Sequence, residues 1–306
     1  MCVSTNSSCS ESEAQSTGHV VLFVYMLLLS IVILLGNAFT IRAVFRLRIL
    51  QTEPNAFVVS LALADLLAGT RVLYESFWYI SVIGARLSSC KYCCLLLYTT
   101  FNTSVAASMG SVVLIAIDRF IFIVHPFRYH QRIETRRNSL LACSWIFAVT
   151  YGTVPLYFNN FGSSGPCVFI NVVPYVYQMY GQCLMFFVSF LTVLVLYWRI
   201  LAVARFQIRA INSAPQPVRP NCGSSSTSWN LTKLPLMVCG VFFCCWFPYN
   251  VCLIVNNTVG IDNNVISYTV NFGLLNSAIN FVTYVLMNRG FRDYFKKIIC
   301  NSSMLT

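Results

Sequence analysis

Ionisable side chains are scarce enough in this sequence that each can be weighed individually. Nine residues are Asp or Glu, and the three histidines are His19, His125 and His130. No nucleophile is paired with a base, and no His, Glu and Asp residues gather at metal-ligand spacing, so the sequence offers enzyme chemistry no constellation. What remains is charge placed where charge is costly. Asp65 lies within the run Ser-Leu-Ala-Leu-Ala-Asp-Leu-Leu-Ala-Gly. A carboxylate at mid-bilayer costs at least about 2.5 kcal/mol on insertion scales, and so marks a pathway, a switch or an ion site. Arg71 and Glu75 are four apart on one helix face, where they form an internal ion pair or offer contacts to a polar or charged ligand. Asp118 and Arg119 adjoin at the end of another apolar run, and Arg119 is a planar, permanently charged fork.

The elements that must hold these groups follow from composition. Of 306 residues, 57% are apolar and 9% charged, against about 25% charged in an ordinary soluble domain. Each bilayer crossing needs about 20 apolar residues. Such runs occur at 19–46, 55–83, 92–123, 138–158, 174–204, 231–256 and 265–287. The expected fold is an all-α membrane protein, a seven-transmembrane helix bundle with its N-terminus outside. Residues 1–18 then form an extracellular tail, 19–288 the membrane domain, and 289–306 a cytoplasmic amphipathic helix with a short tail.

Orientation rests on the basic residues, because Lys and Arg collect in cytoplasmic loops. With the N-terminus outside, all but Arg71, Arg86 and Lys91 of the 20 basic residues fall in cytoplasmic segments or adjoining helix ends. The net charge of +11 thus reads as a topology signal and an attraction to anionic inner-leaflet lipid, with no nucleic-acid role. The third cytoplasmic loop, Phe206 to Trp229, carries Ala-Pro-Gln-Pro and a Ser-rich stretch, Ser224 to Ser228, which suit a mobile, phosphorylatable linker. After the seventh run, Phe291, Phe295, Ile298 and Ile299 recur at helical spacing among basic residues, as in a helix lying on the membrane.

Most of the 14 cysteines sit inside apolar runs as small hydrophobes. Cys2, Cys9, Cys90, Cys93, Cys94 and Cys167 lie at or near the outer face, where oxidation is permitted. Cys300, closing the amphipathic segment, is a palmitoylation candidate. Asn6, in Asn-Ser-Ser, is an outside glycosylation sequon, and Asn256 is a second possible one.

The polar residues within the runs occur in recognisable frames. Gly36-Asn37, Leu61-Ala62-Leu63-Ala64-Asp65, Asp118-Arg119-Phe120, Trp145 with Pro155, Tyr197, Cys245-Trp246-Phe247-Pro248 and Asn280-Phe281-Val282-Thr283-Tyr284 follow one another on successive spans. In this ordered set the chain resembles the rhodopsin-like (class A) G-protein-coupled receptors. The resemblance implies an extracellular ligand and a heterotrimeric G-protein as partners. It gives Asp118, Arg119, Tyr197, Trp246, Pro248, Asn280 and Tyr284 the switch that couples them. It implies a possible allosteric sodium ion, and no other cofactor, among Asp65, Ser108, Trp246, Asn276, Ser277 and Asn280. It also implies a Cys94–Cys167 disulfide, since Cys94 stands 25 residues before Arg119, although Cys90 and Cys93 are near enough to compete.

Several positions depart from the family pattern. Phe101 stands seven residues after Cys94, where amine receptors carry Asp, and Leu274 stands where opsins carry the retinal lysine. A biogenic amine bound through that contact and covalent retinal are therefore disfavoured. Proline is missing at Phe281 and at Ser189, which restores helical hydrogen bonds and straightens both helices. The fifth-helix departure resembles the melanocortin, cannabinoid or lysolipid receptors, and Glu75 resembles a melanocortin acidic position. By position, Arg71, Tyr74, Glu75, Trp78, Phe101, Phe187, Tyr249 and Asn250 are the expected pocket wall. The alternatives are a receptor-like protein that has lost signalling, for which Phe281 is the argument, and a transporter, which would need broken helices or an inverted repeat.

Overall fold

The computed structural model of the protein describes residues 6–129, 131, 133, 135–162, 167–213 and 223–302, with side chains at these positions except 6–16, 53, 207, 208, 210–213, 223–232 and 299–302. Among the described residues seven helices are long and apolar enough to cross a membrane: Thr17–Arg46, Pro54–Tyr79, Lys91–Val124, Arg137–Tyr157, Tyr177–Phe206, Lys233–Asn256 and Asn263–Met287. Each expected run finds its helix, with ends displaced by a few residues. Strands are absent among the described residues, as a bilayer requires of any chain that does not close a barrel.

The helices are α1 (Asn6–Arg46), α2 (Glu53–Ser76), α3 (Lys91–Val124), α4 (Arg137–Gly152), α5 (Leu184–Ser213), α6 (Gly223–Asn256), α7 (Asn263–Met287) and α8 (Arg289–Ser302). Local chemistry sets several of their ends. Pro54 occupies the first turn of α2, where a missing N–H costs nothing. Asp262 caps α7 by accepting from the Asn264 backbone N–H. Neighbouring helices pack from α1 to α4 and from α5 to α7, and α7 returns to α1; α4 meets the fifth span where the Tyr151 and Tyr177 rings stack at 4.9 Å. The third helix runs through the middle, touching α2, α4, α5 and α6. Val20, Leu28, Leu35, Ile146, Phe147, Leu191, Val195 and Trp198 are exposed on the rim. That apolar surface suits lipid, in which helix association depends on close packing.

Two glycines show how close that packing is. A Cβ on Gly36 would lie 2.8 Å from Cγ of Phe281, and one on Gly273 would lie 2.6 Å from the Trp246 indole. Glycine therefore lets α1 approach α7, and lets α7 approach α6, to ring-on-backbone distance.

The structure departs from the sequence expectations in four places. The first helix starts at Asn6, well before residue 19; residues 6–18 hold no proline to stop it. The third loop is shorter than Phe206 to Trp229, because α5 continues to Ser213 and α6 begins at Gly223. Its Ala-Pro-Gln-Pro segment lies outside the described residues, as do the side chains of Ser224 to Ser228. The fifth span is not uniformly straight: Tyr177–Cys183 forms a π-helical turn, and regular α-helix resumes through Ser189. The irregularity lies six to twelve residues before Ser189, where proline is missing, and extra-residue turns of this kind gather at functional sites. Lastly, α8 is docked more deeply than a purely membrane-borne helix. Phe291 is buried against Tyr284, and Phe295 packs on Phe39 and Phe281.

Candidate functional site

Three polar centres lie along the bundle axis. The innermost is Asp65, fully buried on α2. Its Oδ1 accepts from Ser277 Oγ at 2.7 Å and from Ser108 Oγ at 3.4 Å, and its Oδ2 accepts from Asn280 Nδ2 at 2.9 Å. Two helices, α3 and α7, thus contribute three donors to one carboxylate, which offsets the desolvation of its charge. Asn276 is buried beside them but does not bond Asp65. The side-chain oxygens of Asn276, Asn280 and nearby Asn37 are buried without hydrogen-bond partners. Hard cations take oxygen ligands, and the carboxylate with these unpaired oxygens is that kind of donor set. Trp246 makes no hydrogen bond there; its ring lies against Gly273, Phe101 and Tyr249.

A second centre closes the inner end of α3. Arg119 Nε donates to Asp118 Oδ2 at 2.8 Å and Nη2 donates to the same oxygen at 2.5 Å, with both residues buried. The other carboxylate oxygen accepts from Tyr129 Oη at 2.7 Å. Sequence reading missed Tyr129; a lone tyrosine past His125-Pro126 carries no motif signal. Asp118 and Arg119 border a cavity of about 380 Å³ lined also by Ile115, Pro235, Val238, Tyr284 and Arg289. Tyr197 lies higher, with its hydroxyl 3.7 Å from the Cys239 thiol of α6. Pro248 sits inside α6 two residues before Asn250, whose Nδ2 donates to the Trp246 carbonyl at 2.9 Å.

A third centre lies at the opposite end, where α2, α3, α6 and α7 enclose about 300 Å³. Arg71, Glu75, Trp78, Phe101 and Tyr249 line it. Arg71 and Glu75 form a two-pronged pair, Nη2 to Oε1 at 3.0 Å and Nη1 to Oε2 at 2.6 Å. The guanidinium also sits 5.1 Å from the centroid of the Phe101 ring, a cation–π arrangement.

Three of the expected wall residues lie elsewhere. Tyr74 turns its hydroxyl to the Cys93 carbonyl at 3.2 Å. Phe187 packs on Phe186 and Phe247. Asn250 borders a smaller cleft beneath, with Asn102 and Gln182. Each is on a suitable helix but is rotated off the cavity face, which position along the chain does not reveal.

The wall includes residues the sequence reading omitted: Tyr98, Phe169, Ile266 and Asn271. Tyr98 was findable, since it lies one turn from both Cys94 and Phe101 on α3. Phe169 was not. It is delivered by the Cys94–Cys167 disulfide, whose Cα atoms are 6.0 Å apart, and it packs against Tyr98, Phe101 and Tyr249. Cys90 and Cys93 bond to each other, so they do not compete for Cys167. The side chains of Asn6 and Cys300 lie outside the described ones.

Comparison with known proteins adds a family to this geometry. Residues 36–284 match the family described as 7 transmembrane receptor (rhodopsin family). The histamine H2 receptor of Cavia porcellus is 28% identical over 293 residues, covering 92% of this chain and 80% of that receptor. The adenosine receptor A2a of Homo sapiens is 29% identical over 303 residues, covering 89% and 70%. The melanocortin receptor 5 of Mus musculus is 29% identical over 287 residues, covering 90% and 82%.

Proposed function

Because the chain belongs to the rhodopsin family of seven-transmembrane receptors, we propose that its Arg71-to-Tyr249 cavity takes an extracellular ligand and that its Arg119 cavity receives a heterotrimeric G-protein. The protein is a multi-pass plasma-membrane receptor of the G-protein-coupled class and not an enzyme. In this reading residues 1–18 face outward, 19–288 form the receptor body and 289–306 lie against the inner leaflet. Asn6 then falls on the glycosylated side and Cys300 on the palmitoylated side.

The observation that carries the reading is the buried Asp118–Arg119 pair at the mouth of an open cavity. A charge-assisted bond to one carboxylate oxygen, with Tyr129 on the other, holds the fork closed. A G-protein would compete for the fork, and ligand shifts the population by binding better to the state in which Arg119 is free. Trp246 connects the ends: it touches Phe101 at the ligand cavity and sits two residues before Pro248 on α6. Arg119→Ala is expected to abolish coupling in cells that report through a promiscuous G-protein. Undiminished coupling at equal surface expression would remove Arg119 from this role.

Asp65, Ser108, Asn276, Ser277 and Asn280 would hold a sodium ion, which would supply the positive charge that the buried carboxylate lacks. On ligand class, the names of the compared receptors diverge at similar identity, so identity does not separate an amine from a nucleoside or a peptide hormone. Phe101 provides no counter-ion for an ammonium, and Leu274 provides no amine for retinal. The ligand is read as one that uses neither contact.

A further inference from the structure

The ligand cavity contains a charge pattern that restricts what it can hold. Arg71 is 4% exposed and its Nε, although buried, has no hydrogen-bond partner. Its terminal nitrogens face Glu75, so the pair already balances its own charge. Across the cavity on α7, the Asn271 side-chain oxygen is likewise buried and unpartnered. The polar wall therefore combines a free donor on a cation with a free acceptor and an adjacent carboxylate. Around them stand Trp78, Tyr98, Phe101, Phe169 and Tyr249.

A ligand carrying only a positive or only a negative charge would satisfy half of this wall. It would also bring an uncompensated charge into an already neutral pocket, which is costly. A ligand with both charges keeps the pocket neutral. Its carboxylate can accept from Arg71, while its ammonium can donate toward Glu75 and Asn271. The rings accommodate a flat or aromatic body.

We propose that the cavity is built for a small zwitterion with an aromatic body, of the aromatic amino acid class. The proposal rests on the reading of this cavity as the ligand site. Two matched probe sets test it on the full-length receptor in lipid nanodiscs. One is L-tryptophan, tryptamine and indole-3-propionate; the other is L-phenylalanine, phenethylamine and 3-phenylpropionate. The zwitterion is expected to bind more tightly than both single-charge partners, by about tenfold, in at least one set, as one added charge-assisted hydrogen bond would give. Glu75→Gln should erase its advantage over the acid, and Arg71→Gln its advantage over the amine. If Arg71→Gln fails to reach the membrane, Asn271→Leu and Glu75→Gln still decide the matter.

Zwitterions that bind no better than their single-charge partners in both sets overturn the proposal, as does an advantage that survives Glu75→Gln. Ligand-independent nucleotide exchange on a co-reconstituted G-protein, compared with Arg119→Ala, is read in parallel. Exchange that depends on Arg119, without zwitterion preference, defeats the ligand class and leaves the receptor reading standing.

Discussion

Charged groups within this bundle are each matched by a specific partner, and the match defines what each can be asked to do. Asp65 has three donors on α3 and α7, so replacing it by Asn keeps the volume and removes the charge. Sodium chloride should raise the thermal stability of the wild type over choline chloride, and Asp65→Asn should show no such difference. A wild type indifferent to the cation would count against the ion site. Tyr129 holds the carboxylate oxygen that Arg119 leaves free. A hydrogen bond to a charged group is worth about 1.5–3 kcal/mol. Tyr129→Phe should therefore loosen the pair and raise ligand-independent nucleotide exchange several-fold, while an unchanged basal rate would show that Asp118 and Arg119 need no help. Asp65 and Arg119 were legible as outliers, an acid and a cation in apolar surroundings. Tyr129 was not, because a tyrosine in a polar loop has no such contrast.

Proline marks kinks where it is present, and its absence is more informative than sequence alone suggested. Phe281 fills the seventh-helix position with a ring that packs on Phe39 of α1 and Phe295 of α8. The rings tie three helices together, with Gly36 as the surface that admits them. Gly36→Val would force the two helices apart, at a cost of about 1–3 kcal/mol for overpacking. A fall of several degrees in the unfolding midpoint is expected, with partial recovery in the Gly36→Val, Phe281→Ala double variant. Independent effects of the two changes would mean that the contact is not limiting. On the fifth helix the lost proline is accompanied by a π turn at Tyr177–Cys183. That turn lies where Gln182 reaches Asn102 of α3, at 2.5 Å, and accepts from Tyr249 of α6. Periodicity predicted the helix there, but a seven-residue change of winding leaves composition untouched and so gave no warning.

Charge asymmetry predicts an orientation for the bundle, and the prediction has a direct check. An epitope tag before residue 17 should be stained on intact cells, and one placed after Lys297 only after permeabilisation. The reverse pattern would put the Arg119 cavity outside and end the coupling proposal. Two cavities lie at opposite ends of the bundle, with Phe101, Trp246 and the proline-bearing helix α6 between them. From the sequence came the seven crossings, because apolar length is a local property that the bilayer reads directly. The sequence also determined the family, through Asp65, Arg119, Trp246 and Asn280 in order. Tertiary structure alone decided which side chains face each cavity. Tyr74, Phe187 and Asn250 turn away while Phe169 and Asn271 turn in, since rotation about a helix axis is set by neighbours distant in the chain. It also decided that the Arg71–Glu75 pair leaves Arg71 Nε unspent in a cavity whose wall carries the unpaired Asn271 oxygen, for pairing geometry depends on packing that no spacing rule contains.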